Sequence, residues 1–585
     1  MFLQRILFPK DLDSFLPSLF YHTTDNCSFY ARDDFGKVEL GDVKRISFDT
    51  WFNMFSLAKW RRYCKLENIF FRLKSTGSVT LRLYKIQRDC CAKLILEERV
   101  SGEVSIRVPV EGINYSYIFV ELVNASANFS LYEETGFYTD EIPFNKVSMV
   151  AVITHFNRKD SLLPHLRSLS EEIENEPLLK KSLKVVVVDN SNNIAYEEVK
   201  NLKNIHILPN QNYGGSGGYA KGLLYAKSIG ATHCIFTDDD VRCEIESIRR
   251  TFAIFSLTKE KDLAIAGAIL SEENPKIAIQ AGAKFTSRGW IGQSVSFELD
   301  TTYGAIFQDS QLASPDYGAW PFFAFPVSSV KKFPFPFFVR GDDVLFGIDN
   351  KFFLCTLNGI GVSVGNIIWR EGPSTLYQDV RAILVINLKK GTNSSEVVNY
   401  LKELILALLR SYKYSSARAV LLAIQDVMQG PEYFRNNLTN QEARSKLAPL
   451  AKKELFKLAV NVSPDTYPDN ILGLTARIKR KLEICLVSAF PSLIRINKAI
   501  YQDKCLFADF SKTYKYKKIF YYCGYNNTFL VLEFSSKETS EIKKLSKSLI
   551  KNFKNSYLTL MEKYQSSTVG SESDWIKIYK EIRTL

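Results

Sequence analysis

The sequence predicts a multidomain α/β protein with an N-terminal β-sandwich, a central α/β domain and a mainly helical C-terminal part. Its 585 residues exceed what one hydrophobic core usually organises. The first part alternates apolar and polar residues, as half-buried strands do, and the centre alternates strands with helices. The pattern changes near residues 145 and 395, so the expected domains are 1–144, 145–395 and 396–585.

The N-terminal part is expected to be all-β. Residues 79–86 alternate in polarity, and residues 105–110 and 117–123 follow as further strands, with glycine- and asparagine-containing turns between them. This pattern is typical of a β-sandwich of modest size.

The central part has four apolar runs, at residues 147–153, 184–188, 205–208 and 234–237, and each predicts a buried strand. Polar or glycine-rich residues follow each run directly. Because ligands of open α/β sheets bind at the carboxyl ends of the strands, we expect these residues to form one site.

The C-terminal part has helical composition at residues 400–409 and 417–428, and apolar residues at helical spacing over 542–553. The basic, aromatic segment 512–522 is most often a solvated surface in such proteins. Its sharper interpretation is an interfacial segment on anionic lipid.

Composition points to an anionic partner. Lys and Arg number 76 against 63 Asp and Glu, a net charge of +13, which favours nucleic acid, anionic lipid or phosphate-bearing substrates. The sequence has no recognised nucleic-acid-binding motif beside this charge, so a nucleic-acid partner is not expected. The ten cysteines lack CxxC spacing, and neither a signal peptide nor an apolar run of about 18 residues is evident, so a cytoplasmic location is expected.

The segment 212–218 (Asn-Tyr-Gly-Gly-Ser-Gly-Gly) is predicted to be a phosphate-binding loop before a helix. Gly214, Gly215 and Gly217 would let the backbone approach a diphosphate, and the helix N-terminus would supply free N–H groups. Residues 215–220 also fit the dinucleotide pattern G-x-G-x-x-A, but that pattern normally follows the first strand of its unit, and here two strands precede it.

Three consecutive aspartates follow the fourth strand. Asp238 and Asp240, two residues apart on an extended segment, would share one Mn²⁺ or Mg²⁺ ion, for which carboxylate oxygens are suited. Asp239 would face another partner, such as a ribose hydroxyl. The alternative is a polar turn in which Asp240 caps the next helix.

A second acidic pair, Asp342 and Asp343, follows an aromatic run. It could cap a helix, or supply a general base whose pKa is raised by desolvation and by its neighbour. Trp320 could equally pack in the core or stack on a sugar ring.

Taken together, residues 154–160, Asp189 with the two residues after it, the glycine segment and the aspartate triplet resemble family 2 glycosyltransferases of the GT-A fold. More narrowly, the chain resembles bacterial galactofuranosyltransferases that polymerise galactan. The narrower resemblance also rests on residues 50–53, 60–63, 316–320, 342–343, 368–369 and 423–431.

The resemblance implies a central GT-A domain, UDP-galactofuranose as donor, and inverting transfer to a hydroxyl of a growing bacterial cell-surface polysaccharide of the galactan, O-antigen or capsule type. The acceptor would be a lipid-linked glycan, and the enzyme would lie on the inner face of the cytoplasmic membrane. Homo-oligomer formation is left open. The implied roles are donor binding by Thr154, Phe156, Arg158, Asp189 and Asn212, metal binding by Asp238 and Asp240, catalysis by Asp343, and acceptor binding by Asp342, Trp320 and Asp316.

One residue departs from the resemblance. The family places a metal-ligating histidine directly after the tryptophan that corresponds to Trp369, but this chain has Arg370 there. Arginine cannot ligate a cation, although its charge could contact the donor diphosphate. We therefore expect weaker or altered metal dependence. Two other functions remain open: a family 2 transferase with another nucleotide sugar, or an inactive, carbohydrate-binding relative.

Overall fold

The computed structural model describes residues 1–9, 16–23, 37–64, 66–109, 116–293, 297–310, 314–365, 372–458, 465, 483, 495–524 and 526–583. Within these residues the protein is mixed α/β, with several sheets and many helices, as the sequence predicts.

The N-terminal part forms a nine-stranded antiparallel sheet around one very long strand, β5. All three predicted strands of this part are present, since residues 79–86 lie in β5, 105–107 in β6 and 117–123 in β7. The strands are β1 Phe2–Arg5, β2 His22–Thr23, β3 Lys37–Glu39, β4 Arg45–Ser47, β5 Phe70–Gln87, β6 Lys93–Arg107, β7 Ser116–Val123, β8 Ser130–Tyr132 and β9 Gly136–Tyr138.

The central part contains a seven-stranded sheet in the order β12-β11-β10-β13-β20-β15-β21. Its first four strands run parallel and are the four predicted from apolar runs. These strands are β10 Met149–His155, β11 Leu183–Asp189, β12 Ile205–Pro209 and β13 His233–Asp238. The remaining strands of this part are β14 Val241–Cys243, β15 Leu263–Ala266, β16 Ala268–Ser271, β17 Ala278–Ala281, β18 Ala283–Thr286, β19 Gly289–Gly292, β20 Phe323–Pro326, β21 Phe353–Cys355 and β22 Gly361–Val364.

Helices connect these strands and cover the sheet. Helix α5 packs against β10, β11 and β13, and α8 brings a second acidic segment to the same region. The helices up to this point are α1 Leu57–Cys64, α2 Lys159–Asn175, α3 Pro177–Ser182, α4 Tyr196–Val199, α5 Gly214–Ser228, α6 Ile245–Leu257, α7 Thr302–Asp309 and α8 Asp342–Asn350.

A helical core follows and already includes α9, which lies before the expected boundary at residue 396. Its helices are α9 Pro373–Lys390, α10 Ser394–Arg410, α11 Tyr414–Met428, α12 Pro431–Asn436, α13 Gln441–Lys453 and three further ones over Phe510–Thr513, Ser536–Ser566 and Glu572–Arg583. The apolar residues predicted at helical spacing over 542–553 lie in the Ser536–Ser566 helix, called the 536–566 helix below.

A small sheet within this helical part corrects the expectation for the basic, aromatic segment 512–522. Most of that segment is β24, the central strand of a three-stranded sheet, and Tyr521 is fully buried with its hydroxyl donating to the Ser411 carbonyl at 2.8 Å. Phe520 and Tyr521 are buried and Tyr516 and Tyr522 are half-buried, so the segment is part of the folded sheet rather than a fully exposed surface. The strands are β23 Ile496–Asp503, β24 Tyr516–Cys523 and β25 Thr528–Glu533. No helix in the described part of the chain is long and apolar enough to cross a membrane.

Candidate functional site

The site lies where β10, β11 and β13 end side by side. In the parallel register, Thr154 is opposite Asp238, and His155 is opposite Asp189. The apolar runs bury the strands, and the polar residues after them therefore emerge at one edge of the sheet, as predicted.

The aspartate triplet divides between two sets of partners. Asp238 accepts a hydrogen bond from the Tyr219 hydroxyl at 2.5 Å. Asp239 is 5% exposed and is held by His155 Nδ1 at 2.9 Å, the Phe156 N–H at 3.2 Å and Arg158 Nη1 at 2.7 Å. Asp239 thus faces other partners than Asp238 does, and both its oxygens are engaged within the protein. Contact with a donor ribose stays a prediction.

The charges of the triplet affect its titration. Burial raises the pKa of Asp238 to about 6, and the nearby charges of Asp240 and Asp239 act in the same direction against the Tyr219 hydrogen bond. For Asp239, burial alone would raise the pKa, but the hydrogen bond from His155 and the charge of Arg158 hold it below its ordinary value.

These carboxylates fit a divalent cation only in part. Asp238 and Asp240 offer oxygen ligands in a crowded anionic spot, which a cation would relieve, and magnesium sites commonly use one or two carboxylates beside substrate phosphates. Arg158 Nη1 lies 2.8 Å from Asp240 and supplies a positive charge at the same place. Among the described residues, no group of three or more His, Cys, Asp or Glu side chains is arranged to hold a metal ion.

The glycine segment is the first turn of helix α5, and this corrects the predicted loop. Gly214 has a φ of +66°, and a Cβ atom there would lie 1.9 Å from the Phe338 carbonyl oxygen. A Cβ at Gly217 would lie 2.3 Å from Tyr213 Cβ, and one at Gly218 would lie 2.4 Å from Thr154 Cγ2. These three glycines allow close packing of α5, whereas a Cβ at Gly215 would meet nothing closer than Asp342 Oδ2 at 3.4 Å.

Helix α5 joins the two acidic groups. The Ser216 hydroxyl donates to Asp342 Oδ2 at 3.0 Å, and Tyr219, three residues later on the same helical face, donates to Asp238. Sequence reasoning missed Ser216, Tyr219 and His155 as site residues. The three-residue spacing of Ser216 and Tyr219 places them on one face of a helix, but the sequence predicted a loop at Ser216.

Asp342 and Asp343 begin helix α8 after a strained backbone segment. Phe338 and Arg340 have φ values of +75° and +70°, which are rare for non-glycine residues and cluster at functional sites, and Gly341 follows at +82°. Asp342 is buried, and burial together with the charge of Asp343 raises its pKa. Burial likewise raises the pKa of Asp343, so both carboxyl groups hold their protons more tightly than free aspartate.

The buried Arg381 supports that strained segment. Its guanidinium donates to the Phe337 carbonyl oxygen and to Gln378, and contacts Asn440 Oδ1 at 3.0 Å. Arg340 in turn pairs with Asp379 of the same helix at 3.0 Å. Helix α9 thus fixes the approach to the acidic pair, a contact that the sequence did not indicate.

The residues expected on the nucleotide side differ in availability. The Thr154 hydroxyl is buried without a hydrogen-bond partner in the described structure, and Phe156 is 45% exposed beside it. Asp189 accepts from the four backbone N–H groups of residues 191–194, so it shapes the loop after β11. Asn212 accepts from the Gly214 N–H at 3.0 Å and so stabilises the start of α5.

The residues expected on the acceptor side do not form an open platform. Trp320 is 4% exposed, and its ring packs edge-to-face on Tyr219, Phe236 and Phe346. Of the two interpretations of Trp320, this packing fits the core, and its indole N–H is buried without a partner in the described residues. A role in acceptor binding stays a prediction. Asp316 accepts from the Phe285 N–H at 2.9 Å, beside the β18–β19 hairpin.

Arg370 and the preceding Ile368 and Trp369 lie outside the described residues, which stop at 365 and resume at 372. The expected contact of Arg370 with the donor therefore stays a prediction.

Comparisons with known proteins find similar galactofuranosyltransferases. A family model described as "Galactofuranosyltransferase 2 N-terminal" matches residues 3–135. Galactofuranosyltransferase GlfT2 of Mycolicibacterium smegmatis is 23% identical over 436 residues, covering 68% of this chain and 66% of the relative. GlfT2 of Mycobacterium tuberculosis is 22% identical over 441 residues, covering 68% and 67%. The chain is similar to galactofuranosyltransferases.

The predicted resemblance to galactofuranosyltransferases is confirmed by these relatives. The chain spans about two thirds of the length of the curated galactofuranosyltransferases it matches. Among solved structures, GalNAc-T7 with UDP, GalNAc and Mn²⁺ matches with a TM-score of 0.31 and 13% identity, covering 46% of this chain and 56% of that one.

Proposed function

We propose that this protein is an inverting glycosyltransferase that transfers galactofuranose from UDP-galactofuranose to a hydroxyl of a growing bacterial cell-surface polysaccharide. The observation that carries the proposal is the pairing of two acidic groups through one helix, with Tyr219 on Asp238 and Ser216 on Asp342. Such an arrangement suits a donor diphosphate at the first group and an acceptor hydroxyl at the second.

In the proposed reaction, Asp343 takes the proton of the acceptor hydroxyl while the acceptor oxygen forms a bond to the anomeric carbon of the donor. The bond from that carbon to the diphosphate oxygen breaks, UDP leaves, and the configuration inverts. The raised pKa of Asp343 makes it a stronger base than an exposed aspartate once it is ionised. Asp342, fixed by Ser216, positions the acceptor.

On the donor side, the unpartnered Thr154 hydroxyl and the exposed Phe156 ring are placed to contact the nucleotide, with Arg158 next to them at the triplet. Asp238 and Asp240 would hold Mn²⁺ or Mg²⁺, which neutralises charge on the departing diphosphate when it is bound. The acceptor is proposed to be a lipid-linked glycan, reached from the cytoplasmic face of the membrane.

The test of this function is incubation with UDP-galactofuranose and short galactoside acceptors, followed by mass and linkage analysis of the products. Asp343→Asn should lower turnover by at least ~100-fold, the scale of a lost general base, while UDP binding measured by calorimetry stays nearly unchanged. Substantial turnover by this variant would show that the base has been assigned wrongly.

A donor panel with measured UDP or dTDP release separates galactofuranose from other nucleotide sugars. Wild-type protein that releases UDP only with UDP-galactofuranose supports the proposed donor. Preference for a pyranose or deoxysugar donor would support a glycosyltransferase but contradict galactofuranose as the transferred sugar. Binding of glycans without any transfer would favour an inactive, carbohydrate-binding protein.

A further inference from the structure

A groove far along the chain from the acidic site lies between α10 and the 536–566 helix. It encloses a cavity of about 420 Å³ with an apolar floor that includes Val398, Ile405, Leu409 and Ile550. On its rim, Leu406 is 39% exposed. Apolar side chains exposed within a concave surface mark interaction sites more often than scattered single ones do.

Five lysines frame this apolar floor: Lys402 from α10 and Lys543, Lys547, Lys551 and Lys554 from the 536–566 helix. The four lysines of the long helix recur at spacings of three and four residues and so lie on one face. Leu558 continues the same face one turn later and is 67% exposed. Positive charge and exposed apolar surface are therefore combined on a single face.

The charge of this face is not neutralised within the described part of the chain, where none of the five lysines has an acidic side chain at ion-pair distance. Residues 542–561 contain no aspartate or glutamate. The neighbouring acidic residues form ion pairs with arginines instead. Glu538 and Glu541 pair with Arg418, and Glu403 pairs with Arg288. The face thus keeps an excess of positive charge beside apolar side chains.

We propose that this face, formed by α10 and the 536–566 helix, docks the protein on a bilayer that contains anionic phospholipid. Lysines gain attraction at such a surface while leucines insert at the boundary of headgroups and acyl chains. A plain solvated helix face usually mixes charges of both signs, whereas residues 542–561 carry only positive ones beside the exposed Leu558. The inference rests on the proposed function for its setting, because it names the surface on which a lipid-linked acceptor would be met.

The test is co-sedimentation of the full chain with vesicles of phosphatidylcholine alone or with 30% phosphatidylglycerol. We expect binding to the anionic vesicles that weakens with salt. The variant Lys543→Gln/Lys547→Gln/Lys551→Gln/Lys554→Gln should bind at least ~10-fold more weakly, because each basic residue at an anionic surface contributes severalfold. A second variant, Leu406→Gln/Leu558→Gln, should also weaken binding although its net charge is unchanged.

The matched control is Lys181→Gln/Lys261→Gln/Lys452→Gln/Lys453→Gln, which removes the same charge from exposed positions elsewhere. It should bind nearly as wild type; equal losses in both quadruple variants, or none in the first, would overturn the proposal. So would binding that requires a prenyl pyrophosphate in neutral vesicles and ignores phosphatidylglycerol. Transfer to a soluble acceptor, measured in parallel, should be unaffected, so failure of docking and failure of the proposed activity are told apart.

Discussion

At the scale of single residues, the adjacent carboxyl groups of Asp342 and Asp343 control how the site responds to pH. Burial raises the pKa of both, and the charge of Asp343 raises the pKa of Asp342 further. Two adjacent carboxylates disfavour each other's ionisation. Because the proposed base must be ionised to accept a proton, activity should fall as pH drops through the raised pKa of the pair. The acid limb should therefore lie above the pH of about 4 expected for an ordinary aspartate.

This prediction is checked by measuring kcat/KM against pH for wild type and Asp342→Asn with a soluble acceptor. Removing the neighbouring charge should move the acid limb to lower pH, even though loss of acceptor positioning lowers the overall rate. If the acid limb of the pH profile lies at the same pH in Asp342→Asn as in wild type, a group other than this pair controls the loss of activity.

Arg370 provides a second residue-scale prediction, which concerns metal dependence. If arginine takes part of the electrostatic role of a cation, Arg370→His should restore a ligand and lower the Mn²⁺ concentration for half-maximal activity. The expected shift is roughly tenfold or more, since even outer partners of a metal site affect affinity by 10–100-fold. Identical Mn²⁺ titration curves for both proteins would contradict the idea.

At the scale of elements, the first turn of α5 depends on glycines for packing. A Cβ at Gly218 would lie 2.4 Å from Thr154 Cγ2, so Gly218→Ala should lower the free energy of unfolding by about 1–3 kcal/mol, the usual cost of overpacking. Gly215→Ala meets only Asp342 Oδ2, at 3.4 Å, and should change stability little, because alanine also favours the helix.

Urea unfolding of the two variants and wild type, with UDP binding measured on the same samples, checks this prediction. Equal loss of stability in both variants would contradict the packing account. If Gly215→Ala keeps its stability but loses UDP affinity, that glycine approaches the donor as the sequence analysis expected.

The same helix shows how far sequence could predict the site. Strands β10, β11 and β13 were predictable because buried strands require continuous apolar runs, and the polar residues that follow them meet at one edge. The edge strand β12 is only half-buried. The role of the glycines was not predictable, since close packing against Thr154 and binding of a phosphate require the same absence of a side chain. The burial of Trp320 and of β24 could not be predicted for a related reason: an aromatic residue suits both a core and a binding surface.

At the scale of the whole molecule, Asp309 at the end of α7 ties the N-terminal sheet region to the central part. Its carboxylate is 2% exposed and accepts from Ser56 at 2.7 Å, Lys59 at 2.8 Å and Tyr117 at 3.0 Å, and from the Asn358 N–H at 2.8 Å. One buried charge thus satisfies four donors from both parts of the chain. Removing it leaves the Lys59 ammonium with less compensation and three donors unsatisfied.

Asp309→Ala should therefore lower the free energy of unfolding by roughly 3–5 kcal/mol, the usual cost of removing one partner of a buried ion pair. Because the acidic site lies in the central part, loss of this contact should loosen the N-terminal sheet before the site unfolds. Limited proteolysis should then cut the N-terminal part of Asp309→Ala faster than that of Asp262→Ala, an exposed control. Equal cleavage rates and equal urea midpoints for the two variants would show that the parts are held together mainly by their apolar contact.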